Sequence, residues 1–512
     1  MQKLCHTIRD LLTEAEASYS SMDAIRYKIR SESKEEKKGV SVASKTYQQL
    51  RNDSECFSAV LESLGEQKKH IAILGTTSYE WILSYFGIVN SGSVAVPLDA
   101  MLPVQELCEL LNRADVTTLV YDESKADVAE AAKTACPALK YMISMSENSR
   151  VEGVLSLWQQ ISGQKPGFDH VPQPEDLATI MFTSGTTGKS KGVMLTHRNL
   201  AENATCLDMK FEPGTVAMSV LPIHHAYCLS MDILKTLSTG AVICINDSLL
   251  RVAKNMKLFE PNIILMVPLM IETMAKKLEE SAWIPAPLVK AKVFGKQFHT
   301  ICSGGAYLNP AYIEMFKKYG ITILQGYGMT ECSPVISTNL SWNNKEGSVG
   351  KIMPNCEAKT VEDELWVRGS SVMQGYYHMP EETAAALEDG WLKTGDLGYV
   401  DEDGFIFLTG RKKNLIITPN GENVSPEEIE NKIGEQRLVQ EILVRERDGM
   451  IEAEIFPDYE YASKKKIKDM EAELQSIIDE YNKQAPLYKR VYKLKVREVE
   501  FEKNTTRKIK RF

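Results

Sequence analysis

Apolar segments of strand length alternate with amphipathic segments of helix length through most of the chain before Gly350. Residues 70–99 predict a strand, a helix and a second strand, and residues 105–121 predict a further helix and strand. The alternation returns around residues 216–245, 261–274 and 311–325. Because strands that alternate with helices form mostly parallel sheets covered on both faces, this pattern predicts an α/β fold of stacked sheets.

The sequence changes in character after Gly350, where short strands and turns replace the alternating pattern. Asp-Gly pairs at 389–390 and 403–404 predict hairpin turns. A chain of 512 residues also exceeds what one hydrophobic core can hold. We therefore predict a large N-terminal domain over residues 1–411, whose last part, about 351–411, is a β-rich subdomain.

The remaining residues, 412–512, predict a small α+β C-terminal domain. Its expected elements are strands near 438–456, one charged helix from about 463 to 483 and a last strand near 491–500. A unit of this size is large enough to hold a hydrophobic core of its own.

The net charge and the cysteine spacing limit which classes of protein this chain can belong to. A net charge of −9 argues against a general nucleic-acid binder, which needs a basic surface. The first residues do not match the pattern of a secretory leader, so we expect none. No apolar run approaches the roughly 18 residues of a membrane span, although peripheral contact with a membrane stays open. Ten cysteines without a Cys-x-x-Cys pair are typical of reduced thiols, so we expect a cytoplasmic protein.

The run FTSGTTGKSKG over residues 182–192 constrains function more than any other segment. Glycine lets the backbone approach phosphate oxygens closely, while Lys189 and Lys191 add positive charge. A predicted strand precedes the run and a predicted helix start follows it, an order in which α/β folds present anion sites. The Gly-Lys-Ser at 188–190 matches the end of a Walker A motif, but Thr183 replaces its first glycine, so a P-loop NTPase is an imperfect match.

Four more segments complete a pattern. They are SGGA at 303–306, GYGMTECSP at 326–334 after a predicted strand, a predicted hairpin that sets Asp396 opposite Arg411, and the basic ending FEKNTTRKIKR. Together with the glycine-rich run, these motifs resemble the acyl-adenylate-forming (AMP-binding) superfamily in order and spacing over nearly the whole chain. The threonine-rich ending is similar to that of long-chain-type fatty acyl-CoA ligases.

The resemblance implies a set of ATP-binding residues. The glycine-rich loop is expected to wrap the β- and γ-phosphates, Tyr327 to stack on adenine, and Asp396 and Arg411 to bind the ribose region. The implied phosphate-loop residues are Thr183, Ser184, Gly185, Thr186, Thr187, Gly188 and Lys191, and the implied adenine-slot residues are Gly304, Gly305, Ala306, Gln325, Gly326 and Tyr327.

Three residues are implied to act on the phosphates during the reaction. Thr330 is expected to contact the α-phosphate, and Glu331 to hold Mg²⁺ together with phosphate oxygens, as a single carboxylate commonly does. Lys508 aligns with the catalytic lysine of the family. The proline and the loop glycine that usually precede this lysine are missing here.

A second set of residues is implied to surround the acid and the thiol. His225, Tyr227 and Gly328 are expected to border the acyl pocket. Lys413 falls at the hinge between the two domains, and Gly421 falls in the loop that lines the thiol tunnel.

Several of these residues also have a purely structural interpretation. Asp396 could cap its turn, Glu331 could be an acid favoured by a helix start, and His225 could be a core histidine. Lys508 could belong to a basic tail and Lys413 could serve solubility.

The implied reaction is ATP-dependent activation of a carboxylic acid, a medium- or long-chain fatty acid, to an acyl-adenylate. Transfer to CoA then gives acyl-CoA, AMP and pyrophosphate. One alternative is an adenylation enzyme that loads an acyl or amino acid onto the phosphopantetheine of an acyl carrier protein. Tyr227 stands where amino-acid-activating relatives place an ammonium-binding Asp, which disfavours an amino acid. The other alternative, a non-catalytic nucleotide-binding protein, is disfavoured by the retained Glu331 and Lys508.

Overall fold

A computed structural model describes most of the chain. The described residues are 3–29, 41–167, 170–183, 190–207, 209–280, 283–418, 421–503 and 509–511.

Helices form where an amphipathic segment follows a capping residue. The Thr46 hydroxyl accepts from the Gln49 amide, and the Gln49 side chain accepts in return from the Thr46 amide. Thr196 and Asn199 form the same reciprocal cap. The α-helices are α1 (Ile8–Tyr19), α2 (Tyr47–Ser63), α3 (Tyr79–Asn90), α4 (Val104–Arg113), α5 (Ala126–Ala135), α6 (Leu157–Ile161), α7 (His197–Thr205), α8 (Thr236–Ser238), α9 (Val252–Phe259), α10 (Pro268–Glu280), α11 (Ala286–Val293), α12 (Pro310–Lys317), α13 (Pro380–Ala386), α14 (Pro426–Gly434), α15 (Tyr459–Lys465) and α16 (Met470–Gln484).

Strands supply most of the remaining regular structure. Those of the N-terminal region are β1 (Asp23–Ile29), β2 (Ser41–Thr46), β3 (His70–Leu74), β4 (Val94–Leu98), β5 (Val116–Tyr121), β6 (Tyr141–Ser144), β7 (Leu155–Ser156), β8 (Leu177–Thr183), β9 (Lys191–Thr196), β10 (Val216–Ser219), β11 (Val242–Ile245), β12 (Ile263–Met266), β13 (Thr300–Ser303), β14 (Thr322–Gly328), β15 (Val335–Thr338) and β16 (Lys351–Ile352). Those that follow are β17 (Cys356–Val361), β18 (Glu364–Gly369), β19 (Gly375–Tyr376), β20 (Leu387–Glu388), β21 (Trp391–Val400), β22 (Ile406–Arg411), β23 (Ile416–Ile417), β24 (Asn423–Val424), β25 (Val439–Arg447), β26 (Met450–Pro457) and β27 (Lys493–Val496).

Two large mixed sheets dominate the N-terminal region. One has the strand order β19-β9-β8-β4-β3-β5-β6-β7, and the other β16-β15-β14-β13-β12-β10-β11-β1-β2. Their central strands pair in parallel, and antiparallel pairs occur toward the edges, for example β8 with β9 and β14 with β15. The predicted α/β fold of mostly parallel, helix-covered sheets is confirmed.

A smaller antiparallel sheet, β17-β18-β21-β20 with β22 on β21, follows the two large sheets. Beyond it, β25, β26 and β27 form a three-stranded sheet with α14, α15 and α16. The apolar residues buried in this last part form a core of their own, separate from those of the large sheets. The predicted β-rich subdomain and α+β unit are therefore present in the fold, while the boundary at residues 411 and 412 stays a prediction.

Ion pairs join the last part of the chain to the preceding region. Arg437 Nη2 lies 3.1 Å from Glu279 Oε2, and Lys276 Nζ lies 3.3 Å from Asp458 Oδ2. Lys412 Nζ lies 2.9 Å from Glu364 Oε2. The first two pairs place the three-stranded sheet against α10.

One sequence prediction is wrong in detail. The charged helix expected over 463–483 is two helices, because Lys466 ends α15 in the left-handed conformation (φ 57°) and Asp469 caps α16. The helix start predicted from THRNLAENA, residues 196–204, is confirmed by α7. The strand β9, whose residues KGVMLT pair antiparallel with β8, was not predicted.

All ten cysteines are free thiols, and eight of them are buried. Among the described residues no helix is both long enough and apolar enough to cross a membrane.

Candidate active site

The strands that flank the glycine-rich run form a hairpin pair. Thr183, the last residue of β8, is paired with Lys191, the first residue of β9. The predicted phosphate-loop residues between them, Ser184, Gly185, Thr186, Thr187 and Gly188, lie outside the described residues. The ends of the run are therefore fixed by sheet pairing at the edge of the eight-stranded sheet.

The segments predicted to form the adenine slot lie side by side. β13 and β14 pair in parallel, with Ser303 beside Gln325, so that Gly304, Gly305 and Ala306 leave the sheet next to Gly326. An added Cβ on Gly304 would lie 3.5 Å from the Gly326 carbonyl oxygen. The two predicted halves of the slot are thus brought together at the carboxyl edge of the nine-stranded sheet.

β14 is longer than the sequence predicted. It continues through Tyr327 to Gly328 because β15 returns antiparallel beside it. A Cβ on Gly328 would meet the Pro334 carbonyl oxygen at 1.9 Å, so only glycine fits this approach of two backbones. Thr330 and Glu331 then follow in a short 3₁₀ helix, Thr330–Cys332.

Asp396 forms the centre of a buried polar cluster. The register of β21 and β22 pairs Asp396 with Arg411, and Arg411 Nε lies 2.6 Å from Asp396 Oδ1. The Tyr327 hydroxyl donates to Asp396 Oδ2 at 2.6 Å. Burial, and to a smaller extent the negative charge of Asp396, raises the pKa of Tyr327 well above its ordinary value. Two predicted ATP-binding residues, Tyr327 and Arg411, therefore contact the carboxylate of a third, Asp396, which is 4% exposed.

Glu331 meets a partner that the sequence did not indicate. The Tyr376 hydroxyl donates to Glu331 Oε1 at 2.9 Å, and burial raises the pKa of Tyr376. Tyr376 lies in β19, which pairs with β9, and Lys191 Nζ lies 4.7 Å from the centre of its ring. Tyr376 thus joins the strand after the glycine-rich run to the carboxylate of Glu331. A Gly-Tyr-Tyr triplet carries no signal by which spacing or charge would have found this residue.

Helix α7 holds the turn that carries Glu331. Asn203, which is 1% exposed, donates to the Val335 carbonyl at 2.8 Å and accepts from the Val335 amide at 3.2 Å. Asn199 donates to the Ser370 and Val372 carbonyls at 2.7 and 3.0 Å. These amides replace water for backbone groups that the turn buries, which fixes the position of Glu331 relative to β9.

The histidine segment lies against the adenine-slot strands. The Tyr227 hydroxyl donates to the Cys302 carbonyl at 3.2 Å, and its ring would lie 3.3 Å from a Cβ on Gly304. The His225 ring centre is 4.2 Å from that of His224. Burial, and to a smaller extent the neighbouring His225 ring, lowers the pKa of His224 to about 4. His225, Tyr227 and Gly304, all singled out from the sequence, therefore share one region.

A buried carboxyl that the sequence did not single out lies just beyond. Asp232, in a π-helix over Cys228–Lys235, is 1% exposed and accepts from the Ser219 hydroxyl at 3.1 Å. The Cys228 thiol is 3.7 Å from the same oxygen, and burial raises the pKa of Asp232 to about 7. Its second oxygen, Oδ1, has no hydrogen-bond partner among the described residues.

The predicted thiol and hinge residues lie in the segment after Arg411. Gly421 (φ 80°) is in the β23–β24 turn, and no atom of a residue that the structure describes lies within 4 Å of the position of an added Cβ. Lys413 lies in a 3₁₀ turn. Burial, and to a smaller extent the positive charge of Arg411, lowers its pKa.

The C-terminal ending folds back on itself. Lys503 and Ile509 form an antiparallel bridge, and the Lys510 amide donates to the Glu502 carbonyl at 2.8 Å. The Lys503 ammonium pairs with the carboxylates of Glu441 and Glu500. Lys508, predicted to be catalytic, lies outside the described residues.

The chemistry of Glu331 fits a divalent cation. Its Oε2 has no hydrogen-bond partner in the described part of the chain, while Tyr376 holds the other oxygen in place. Mg²⁺ is commonly held by one or two carboxylates plus substrate phosphates rather than by a full protein cage. Among the described residues, no group of three or more His, Cys, Asp or Glu suited to a metal occurs.

Comparison with known proteins extends these observations. The family model described as AMP-binding enzyme matches residues 30–377, and the one described as AMP-binding enzyme C-terminal domain matches residues 413–511. The protein therefore belongs to the AMP-binding enzyme family. The resemblance and the enzyme class predicted from the sequence, an AMP-forming acid–thiol ligase, are confirmed.

Individual relatives cover most of the chain. The long-chain-fatty-acid–CoA ligase of Escherichia coli O157:H7 is 28% identical over 451 residues, which are 78% of this chain and 77% of that protein. The protein of the same name from Bacillus subtilis strain 168 is 26% identical over 494 residues, 86% of this chain and 82% of that one.

A solved structure has the same fold over the whole chain. The anthranilate CoA ligase AuaEII, in complex with anthranoyl-AMP, superposes with a TM-score of 0.83 over 99% of this chain and 96% of that chain. Its sequence identity of 22% supports a common fold and nothing finer about the substrate.

Proposed function

We propose that this protein activates a medium- or long-chain fatty acid as its adenylate and transfers the acyl group to CoA. The observation that carries the proposal is that two carboxylates are held along one segment: Asp396 is bound by Tyr327 at the end of β14, and Glu331 lies in the 3₁₀ turn that follows β14. Asp396 is bound to Tyr327 and Arg411, while one oxygen of Glu331 accepts no hydrogen bond from the described residues. Membership of the AMP-binding enzyme family supports this interpretation.

In the proposed complex, ATP lies along the carboxyl edge of the nine-stranded sheet. Adenine occupies the slot between Gly304 and Tyr327, and the ribose hydroxyls approach Asp396, whose oxygens have further lone pairs to accept with. The phosphates extend toward Thr330 and Lys191. Glu331 would hold Mg²⁺, which supplies positive charge to the phosphate oxygens.

The first step joins the acid to AMP. A carboxylate oxygen of the acid attacks the α-phosphorus of ATP, the bond to the bridging oxygen breaks, and pyrophosphate leaves with the electron pair. Catalysis of this step depends on positioning and on charge stabilisation by backbone amides, Lys191 and Lys508. The mixed anhydride that results carries a better leaving group than the acid itself.

The second step transfers the acyl group to the thiol. The sulfur attacks the acyl carbon, the bond to the AMP oxygen breaks, and the thiol proton is released. We expect the C-terminal domain to turn about Lys413 between the steps, so that Lys508 leaves the site and the loop of Gly421 enters. The free thiols of the chain suit a cytoplasmic enzyme, where CoA is available.

The acyl side of the site favours an uncharged tail. Tyr227 stands where an ammonium-binding carboxylate would be needed, and its hydroxyl is already bound to the Cys302 carbonyl. Asp232, which lies further along, has a raised pKa and accepts from Ser219 inside the core. An apolar pocket cannot compensate the loss of hydration of an ammonium group, a cost of several kcal/mol. Two relatives named as long-chain-fatty-acid–CoA ligases support the same substrate class.

A panel of carboxylic acids tests the proposal directly. AMP release is measured with ATP and aliphatic acids of increasing length, aryl acids and amino acids, in the presence and in the absence of CoA. Each added CH₂ should improve binding by up to about 0.8 kcal/mol until the pocket is full. Preference for an aryl or amino acid, without a gain along the aliphatic series, would contradict the fatty-acid assignment. CoA-independent AMP release that a carrier protein stimulates would contradict the CoA assignment.

Gly421→Leu tests the proposed thiol path. Because the residue has φ 80° and open space around it, a leucine strains the turn locally without disturbing the nucleotide site. We expect ATP–pyrophosphate exchange to persist while the yield of CoA thioester falls at least about tenfold. Gly449→Leu, at a turn with φ 73°, is the matched control for strain alone. Equal loss of both activities in Gly421→Leu would reject the thiol-path assignment.

A further inference from the structure

Arg113, in the last turn of α4, contacts the chain on both sides of the predicted phosphate loop. Its Nη2 donates to the Ser190 carbonyl oxygen at 2.5 Å, and its guanidinium carbon lies 5.6 Å from the centre of the Phe182 ring. Phe182 lies near the end of β8, and Ser190 directly precedes β9. One side chain from outside the β8–β9 hairpin therefore connects its two strands where they meet the loop.

The end of α4 is itself held by contacts that lead back to β9. Asp115 has a left-handed backbone (φ 50°); its Oδ2 accepts from the Tyr377 hydroxyl at 2.8 Å and lies 2.8 Å from His378 Nε2. The Tyr377 amide donates to the Gly192 carbonyl of β9 at 2.8 Å. A left-handed backbone is uncommon outside glycine, so contacts of this kind are needed to maintain it. The backbone that carries Arg113 is thus fixed relative to the hairpin.

The two contacts of Arg113 are suited to hold the ends of the loop together. Phe182 directly precedes Thr183, Ser190 directly precedes Lys191, and Thr183 and Lys191 are the paired residues that close the loop. A guanidinium group can donate in its plane while its face packs on an aromatic ring, which an ammonium group cannot do. Arg113 therefore limits how far the two ends of the loop can separate.

Helix α5 carries a counterpart that lacks these contacts. Lys133 also lies in the last turn of its helix, its side chain is 29% exposed like that of Arg113, and it donates to the Glu152 carbonyl at 3.0 Å. Glu152 precedes β7, at the other end of the strand order from β8 and β9. Both cations can stabilise their helices through the helix dipole. Contact with the flanks of the loop distinguishes Arg113 from Lys133.

We propose that Arg113 is a positioning residue for the β- and γ-phosphates of ATP. It acts through the loop, because its contacts are with the chain on either side of the loop. This inference rests on the proposed function, in which the glycine-rich run binds these two phosphates. A loop whose ends are held loses less conformational freedom when it closes on a ligand, so ATP binds more tightly. AMP lacks both phosphates and gains nothing from Arg113.

Equilibrium binding of ATP and of AMP tests the proposal. Calorimetry on the full-length protein with Mg²⁺, in the absence of acid and CoA, measures both affinities. Arg113→Met should weaken ATP binding about tenfold, the effect of losing one hydrogen bond from a charged donor, and should leave AMP binding unchanged. Equal weakening of ATP and AMP binding, or no change in either, would overturn the proposal.

Two further variants separate contact with the loop from stabilisation of a helix end. Lys133→Met is the matched control and should leave both affinities unchanged, while its Tm should fall by about as much as that of Arg113→Met. Arg113→Lys keeps the charge at the helix end but loses the planar contact with Phe182, so ATP binding should still weaken about threefold. Wild-type affinity for ATP in Arg113→Lys, or a loss of ATP affinity in Lys133→Met, would reject the role assigned to Arg113.

Chemical rescue gives a readout that a general loss of structure would not show. Arg113→Ala leaves space for a free guanidinium ion, which can donate to the Ser190 carbonyl in place of the missing side chain. Guanidinium chloride at a low, non-denaturing concentration should restore part of the ATP affinity of this variant, whereas sodium chloride at the same concentration should not. Absence of any difference between the two salts would contradict the proposal.

Kinetics distinguish failure of this proposal from failure of the proposed function. With an acid that the wild type accepts, Arg113→Met should raise the KM for ATP about tenfold and leave the KM for the acid unchanged. A wild-type protein that binds no ATP and releases no AMP with any acid would reject the proposed function, and this inference with it. Normal ATP binding by both the wild type and Arg113→Met would reject this inference alone.

Discussion

The two carboxylates of the candidate active site are held in opposite ways. Asp396 is 4% exposed, and both of its oxygens are engaged, one by the Tyr327 hydroxyl and one by Arg411. Glu331 is half-buried, and within the described part of the chain only one of its oxygens accepts a protein hydrogen bond, from Tyr376. The proposed ribose side of the site is thus formed by protein contacts alone, while the proposed phosphate side has a carboxylate oxygen without a partner among the described residues.

Because the two carboxylates are held differently, we expect a substitution at one to lower mainly the stability of the protein and a substitution at the other to lower mainly the reaction rate. Removing a buried carboxylate strands the groups that depend on it, whereas changing an open carboxylate removes only what the ligand would have gained. The Asp396 side should therefore respond mainly in stability and ATP affinity. The Glu331 side should respond mainly in rate.

Asp396→Ala should have the largest effect on stability. The buried Tyr327 hydroxyl and the Arg411 guanidinium lose their common partner. Solvent limits the cost at Arg411, whose side chain is 43% exposed, so we expect a loss of about 2–4 kcal/mol in the free energy of unfolding. Urea denaturation measures this loss, together with a rise in the KM for ATP. Asp403→Ala, at an exposed turn, is the control. An unchanged free energy of unfolding for Asp396→Ala would remove the contrast with Glu331.

Lys508→Ala should have the largest effect on rate. We expect ATP–pyrophosphate exchange to fall by about 10²–10³ while thioester formation from supplied acyl-adenylate persists, because the lysine acts on phosphate charge only in the first step. Lys510→Ala, at an exposed lysine two residues away, should leave exchange unchanged. If exchange survives in Lys508→Ala, the register assigned to the C-terminal motif is wrong.

Glu331→Gln should lower the rate with little change in stability. A glutamine oxygen still accepts from Tyr376, so the free energy of unfolding should stay within about 0.5 kcal/mol of the wild type. Loss of the negative charge should lower kcat by about 10²-fold. Titration with Mg²⁺ gives a second readout, since the variant should need a higher concentration for half-maximal activity. A large loss of stability with normal kcat would make Glu331 a structural residue.

A third carboxyl, that of Asp232, extends the comparison of Asp396 with Glu331. Its described partners are a hydroxyl and a thiol rather than a cation. Burial raises its folded-state pKa to about 7, so the folded protein binds the proton more tightly than the unfolded chain. This contribution to stability is present at low pH and is lost as pH rises from about 4 through 7.

Asp232→Asn should remove this pH dependence. The difference in free energy of unfolding between pH 5 and pH 8 should shrink by about 1–3 kcal/mol relative to the wild type. Urea denaturation at several pH values checks this prediction. A wild-type pH profile that the substitution leaves unchanged would show that Asp232 does not titrate in this range.

The fold was predictable wherever local pattern decides structure. Residues 70–99 form β3, α3 and β4 as their alternation predicted, because apolar periodicity encodes which face of each element is buried. The Asp-Gly turn at 403–404 sets β21 against β22 and hence Asp396 opposite Arg411. The failure was also local, since a left-handed Lys466 divides the expected C-terminal helix. The strand that pairs with β8 after the glycine-rich run was not predicted, because that pairing is a tertiary contact.

The sequence by itself determined the order of motifs, the α/β class and the residue types of the candidate site. Only the tertiary structure decided which of these residues touch. Tyr376 reaches Glu331 because β19 is added to the edge of β9, and Tyr327 reaches Asp396 because the small antiparallel sheet returns over β14. Periodicity fixes burial within an element, but the meeting of two sheet edges depends on long-range packing, which no local spacing records.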